Sequence, residues 1–179
     1  MLTLNGGSSS IKFAVYKPGE AGTASPRGLS GQLDRISQPI ARFTVRASSG
    51  APPSSQPVAV ASQGWLVDWL AQQRALAAVR AVGHRVVFGG AAHQMPEVVT
   101  PALLADLTQL IACDPDHLPA AIVLIEAVAA RYPQLRQVAC FDTAFHRAIP
   151  RVAQQLPLLC GATACPTPTC WSNWAGRRG

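Results

Sequence analysis

The sequence is short of charge, of lysine and of aromatic residues. Only 13% of its 179 residues are Asp, Glu, Lys or Arg, and 6% are Phe, Trp or Tyr. Lysine occurs only at Lys12 and Lys17, so arginine supplies nearly all of the positive charge behind the formal +6. The basic residues are scattered and few aromatics lie beside them, which speaks against a nucleic-acid partner. A modest positive excess suits an anionic small molecule equally well. No apolar run is long enough to span a bilayer, and no basic segment precedes an apolar one at the start, so no membrane partner and a cytoplasmic location are expected. Cysteines at 113, 140, 160, 165 and 170 are odd in number and lack a metal-ligand spacing, so free thiols are expected rather than disulfides or zinc. Hydrophobic residues make up 49%, which excludes a disordered chain and allows one domain with a substantial core.

Against this background the first stretch stands out. Met1 to Leu4 is apolar, Asn5 to Ser10 reads NGGSSS, and Ile11, Phe13 and Val15 alternate with other residues. The pattern predicts two strands joined by a tight Gly/Ser turn. Such a turn can wrap an anion with backbone N–H groups, with Lys12 adding a point charge, or be an ordinary hairpin turn. It lacks the lysine spacing and following helix of a P-loop.

Further along, short strands are expected near Gly31 to Ile36 and Arg42 to Arg46, with Ala47 to Pro57 as loop. Helical spacing over 63–80 places Trp65 and Trp69 on one packed face. Ala81 to Val87 reads as a buried strand, in which Arg85 must be paired or face a ligand. Helices are expected over Thr100 to Ala112 and from Pro119 through Arg131. Gln137 to Phe141 is a strand with Asp142 at its carboxyl end, where α/β proteins gather catalytic groups. Asp142, with Thr143 and His146 behind it, is therefore a candidate site, or else a helix N-cap.

Three stretches carry a family resemblance. Asn5-Gly6-Gly7-Ser8-Ser9-Ser10-Ile11-Lys12-Phe13, Ala81-Val82-Gly83-His84-Arg85-Val86-Val87-Phe88-Gly89-Gly90 and Phe141-Asp142-Thr143-Ala144-Phe145-His146, continued by Ile149-Pro150, resemble three motifs of the acetate and propionate kinases. The resemblance runs from Met1 to about Leu159. It implies an α/β fold: the ribonuclease-H-like N-terminal domain of the acetate and sugar kinase, Hsp70 and actin group, with a mixed sheet and helices. It also implies γ-phosphoryl transfer from ATP to acetate or propionate, with Mg²⁺, in a family that forms homodimers.

By resemblance, Asn5, Ser8, Ser10 and Lys12 lie near the phosphates, and Asn5 near the metal. Arg85 holds the substrate carboxylate, Val87 lines the alkyl pocket, and Asp142 helps place Mg²⁺ or orient the substrate. His117 hydrogen-bonds to the transferring group. Three residues depart from the family pattern: Phe88 stands where His is usual, Asp116 where an apolar residue is usual, and Leu118 where Asn is usual.

Cys160 to Gly179, CGATACPTPTCWSNWAGRRG, has neither helical nor strand periodicity and is expected to be an aberrant, disordered tail behind a domain over 1–159. The family has Arg-Arg-Tyr-Gly-Phe-His-Gly and a second domain from here. A frameshift is the expected origin. Regrouping codons from the third base of Cys160 can spell Arg-Arg-Tyr-Gly, and the same shift over Thr169 to Ala175 can spell Leu-Leu-Glu-Gln-Leu-Gly. The family's second domain supplies an adenosine pocket, so the resemblance implies impaired activity for this polypeptide alone, or a non-catalytic anion- or partner-binding half-domain.

Overall fold

The structure is a computed structural model that describes residues 1–17, 27–47, 51–59 and 61–145. The expectations for His146, Ile149, Pro150 and the tail over 160–179 lie outside the described residues.

Alternating apolar residues build the first hairpin. β1 (Leu2–Gly6) pairs antiparallel with β2 (Ser10–Tyr16), with Leu4 opposite Phe13 and Asn5 opposite Lys12. Period-2 geometry sends Leu2, Leu4, Ile11, Phe13 and Val15 into the core and leaves Asn5 and Lys12 on the other face. β3 (Arg27–Asp34), β4 (Ile40–Arg46) and β5 (Ser54–Ala59) continue the sheet antiparallel on one side. On the other side β6 (Ala81–Val86) and β8 (Arg136–Phe141) run parallel to β1, and β7 (Glu97–Val98) closes that edge antiparallel to β8. Among the described residues, eight strands lie in the order β5-β4-β3-β2-β1-β6-β8-β7.

Helices α1 (Gln63–Ala71) and α3 (Leu118–Arg131) cover the core face. α1 begins where Ser62 Oγ accepts the Trp65 N–H at 3.1 Å, and it buries Leu66, Val67 and Leu70. Its two tryptophans meet Phe43 of β4 edge to face, and Trp69 also lies against Phe13 of β2 in a tilted arrangement. Phe43 lies 5.0 Å from Trp65 and 4.6 Å from Trp69 between ring centroids, so the packed face expected at this spacing is there. α3 lies so close to β1 that a Cβ on Gly6 would sit 3.2 Å from Leu124 Cδ2. A second cluster joins Val86 and Phe141 to Leu103 and Leu107 of α2 (Pro101–Gln109) and to Leu118 and Ile125 of α3. The short α4 (Asp142–Phe145) follows β8.

Two expectations are corrected. Ala47 to Pro57 is not all loop, because Ser54 to Pro57 belong to β5. This edge strand buries only Val58, so its sequence shows no alternation, and an edge tolerates Pro57. The helical spacing over 63–80 is a helix only to Ala71, followed by a 3₁₀ turn over Arg74–Leu76. Leu76 and Val79 still reach the core from outside the helix, so the spacing persists where the helix does not. β7 carries no sequence signal, being two residues long.

Candidate active site

Three parallel strands end side by side, and each delivers one polar group. Asn5 is the penultimate residue of β1 and Arg85 of β6; Asp142 follows β8 directly. Arg85 and Asn5 are register partners across β1 and β6, so both project from the face opposite the core. The guanidinium lies between the other two groups. Its Nε donates to both Asp142 oxygens at 3.0 Å, Nη2 donates to Asp142 Oδ2, and Nη1 donates to Asn5 Oδ1 at 3.2 Å. The Arg85 side chain is half exposed and that of Asp142 about a third exposed. Hydrogen bonding to Asp142 pushes the Arg85 pKa above its usual value, so the cation is permanent. The sequence asked that Arg85 be paired or face a ligand; in the structure it is paired, and its side chain is half exposed rather than buried.

The other expected residues lie on the same strands or in the turns next to them. Lys12 is the register partner of Asn5 on β2 and is exposed on the same face. Ser8 and Ser10 stand in and just after the turn that ends β1, which the Gly7 N–H closes by donating to the Ser10 carbonyl at 2.8 Å. The expected hairpin is therefore present. Val87 is half-buried directly after β6.

The path beyond Val87 is tightly held. A Cβ on Gly89 would meet the His93 carbonyl and the Phe141 ring, each at 2.7 Å, and Gly90 has φ +63°. The Gly89 N–H donates to Thr143 Oγ1 at 3.4 Å, tying this loop to the segment that carries Asp142. Beyond them the His93 ring stacks on Phe141, with Nδ1 3.1 Å from Glu97.

His117 stands just ahead of α3. Among the described residues it makes no hydrogen bond to Asn5, Arg85 or Asp142. It lies at the same end of the sheet, because the first turns of α3 abut Gly6, whose Cβ direction meets the Ala120 carbonyl at 3.7 Å. Its Nδ1 is 2.8 Å from Asp114 Oδ1. Asp116 is exposed. Sequence reasoning missed Asp114 although the signal was present: a carboxylate three residues before a helix-initiating histidine can fold back onto it.

A second omission lies beneath the site. His84, neighbour of Arg85, is buried with Nε2 2.6 Å from Gln137 Oε1. Burial pushes its pKa down to about 4, against a smaller opposing effect of the Gln137 hydrogen bond, so the imidazole is neutral at pH 7. It braces β6 against β8 just below the Arg85–Asp142 pair.

The sequence profile of the Acetokinase family matches residues 1–161. This chain belongs to the acetokinase family. Its relatives include an acetate kinase of Deinococcus radiodurans, 40% identical over 155 residues that make up 85% of this chain and 38% of that protein. An acetate kinase of Rhodopseudomonas palustris strain TIE-1 is 36% identical over 167 residues, 88% of this chain and 41% of the relative. Among solved structures, a propionate kinase from Francisella tularensis superposes with a TM-score of 0.72 at 30% identity, over 88% of this chain and 40% of the other. The chain therefore spans about two fifths of the length of these relatives.

Acetokinase membership agrees with the fold. The eight-stranded mixed sheet with its helices is the ribonuclease-H-like fold of the acetate and sugar kinase, Hsp70 and actin group. The Porphyromonas gingivalis acetate kinase, at 23% identity and a TM-score of 0.76, is similar in fold. All three motif stretches of the family resemblance begin within the described residues and meet at the carboxyl ends of β1, β6 and β8.

Proposed function

We propose that this chain carries the carboxylate-binding half of an acetate-kinase-type site, which transfers a phosphoryl group between ATP and acetate or propionate. The observation that carries the reading is the Arg85 guanidinium, held between Asn5 and Asp142 at the carboxyl ends of three parallel strands. A planar fork of N–H donors is the natural partner of a carboxylate, and Asp142 already fills it. A substrate carboxylate takes the place of the Asp142 oxygens on that fork, with Val87 beside its alkyl group. In the reaction, a bond forms between a carboxylate oxygen and the γ-phosphorus while the bond from phosphorus to the ADP oxygen breaks. No net proton moves. The transition state spreads negative charge over the equatorial oxygens, so positioning and charge neutralisation supply the catalysis. Arg85 fixes the nucleophile, His117 donates to the transferring group, and Lys12 with Ser8 and Ser10 holds the phosphates.

The donor set suits Mg²⁺, a hard cation that takes one or two carboxylates together with waters and phosphates. Among the described residues there is no cluster of three His, Cys, Asp or Glu that could hold a metal ion. Asp142 and the Asn5 side-chain oxygen would hold it, and it would neutralise phosphate charge.

Trapping the product of ATP, Mg²⁺ and acetate with hydroxylamine tests the reaction, and calorimetry with acetyl phosphate tests the half-site. Arg85→Ala and Asp142→Ala are expected to abolish either signal while the chain stays folded. A signal that neither variant changes would refute the assignment. Acetyl phosphate binding that needs Arg85, without any product, favours a non-catalytic anion-binding half-domain.

A further inference from the structure

We propose that Asp114 is a positioning residue that accepts from His117 Nδ1 and turns the Nε2 edge outward, where the doubly protonated ring donates to a phosphoryl oxygen. The inference rests on the acyl-phosphate reading of the site and adds to it a residue outside the three motif stretches.

The geometry begins with the chain path. Asp114 and His117 are three residues apart in the turn ahead of α3, which is held by the Leu118 N–H on the Asp114 carbonyl at 3.2 Å and the Ala121 N–H on the His117 carbonyl at 3.1 Å. The backbone of both residues is therefore fixed by the first turn of α3. His117 occupies the N-cap position, yet its side chain makes no capping hydrogen bond. Neither does the Asp114 carboxylate serve the helix: Oδ1 is 2.8 Å from His117 Nδ1, and Oδ2 is buried with no hydrogen-bond partner among the described residues. The Asp114 side chain is 15% exposed and that of His117 44%.

Such an arrangement is costly as mere structure, since a buried carboxylate oxygen without a partner loses its hydration. It is well suited to orienting an imidazole. A carboxylate is an acceptor only, so Nδ1 must carry the proton of this hydrogen bond. That fixes the ring plane and leaves Nε2 on the exposed edge. A ring protonated at both nitrogens donates from Nδ1 to Asp114 and from Nε2 to a phosphoryl oxygen at the same time. This is the division of labour in which a buried Asp sets the tautomer and orientation of a His that does the chemistry. The exposed Asp116, on the same turn, is not engaged with His117.

The test compares the full chain with Asp114→Asn and Asp114→Ala by ¹⁵N NMR of the imidazoles, with and without acetyl phosphate. In the parent chain the neutral His117 ring should carry its proton on Nδ1, and acetyl phosphate should shift the Nε2 signal. Asp114→Asn keeps the shape, and its amide can donate to Nδ1, so proton population should move to Nε2. Asp114→Ala should leave the ring in tautomeric exchange and weaken acetyl phosphate binding about tenfold, the usual scale for loss of an orienting partner. His84 signals serve as the folding control, because a variant that fails to fold loses the buried neutral His84 signature; the isosteric Asn variant then carries the decision. Identical His117 tautomers in the parent and Asn chains would overturn the proposal. Acetyl phosphate that shifts neither His117 nor the Arg85 guanidinium signals would instead refute the binding site. A shift at Arg85 with His117 unmoved refutes only the role of Asp114.

Discussion

At the scale of single residues, neighbours in sequence have opposite fates. His84 and Arg85 are adjacent on β6, and the alternation of the strand buries the first and half-exposes the second. His84 is neutral because burial penalises its cation, so its pKa is about 4 in the folded chain against 6.5 in the unfolded one. The unfolded state therefore binds more protons between these values. The stability contributed is complete above pH 6.5 and is lost as the pH falls toward 4. Urea unfolding at pH 7 and pH 4.5 should show a loss approaching roughly 3 kcal/mol by the lower end of that window. His84→Leu should be less acid-sensitive than the parent. Arg85→Ala should behave differently. Its ion pair is half exposed, and such pairs contribute at most about 1 kcal/mol, so the thermal midpoint should barely move while acyl-phosphate binding disappears. A large drop in the midpoint would mean that Arg85 is structural.

At the scale of elements, the site is as precise as the packing behind it. β1 is held between β2 and β6, and α3 lies against its core face through Gly6 and Leu124. Leu124→Ala should cost about 2–5 kcal/mol, read by denaturant unfolding. Gly31 on β3 has no room for a side chain, since a Cβ would lie 2.4 Å from the Thr44 carbonyl and 2.8 Å from the Phe13 ring. Gly31→Ala should destabilise by about 1–3 kcal/mol through strain, with circular dichroism showing the sheet retained. Strands with a buried face, and helices with capping residues such as Thr100, were legible from periodicity and caps. β5 was not, because an edge strand with one buried side chain carries no alternating pattern. The end of α1 was not either: Leu76 and Val79 keep helical spacing in sequence while the backbone has left the helix.

At the scale of the molecule, the sheet brings distant motifs together. Asn5 and Arg85 are 80 residues apart and meet because β1 and β6 are parallel neighbours; Arg85 and Asp142, 57 apart, meet because β6 and β8 are. The net charge of +6 and the half-exposed guanidinium favour anions through long-range attraction that salt screens. Acetyl phosphate affinity should therefore fall several-fold between about 0.05 and 0.5 M salt in calorimetry. Salt-independent binding would point to a site sustained by contacts other than charge.

Sequence by itself determined which strands alternate, that the Arg85 charge within β6 needed a partner, and which side chains have the chemistry to meet a carboxylate and a phosphate. Those are properties of residue type and spacing. Only the tertiary structure decided that Asp142 and Asn5 are the partners, that Asp114 turns back onto His117, and that Gln137 rather than a charged group faces His84. Such pairings depend on strand order and register, which local periodicity does not encode, because a strand's pattern says which face is buried but not which strand lies beside it.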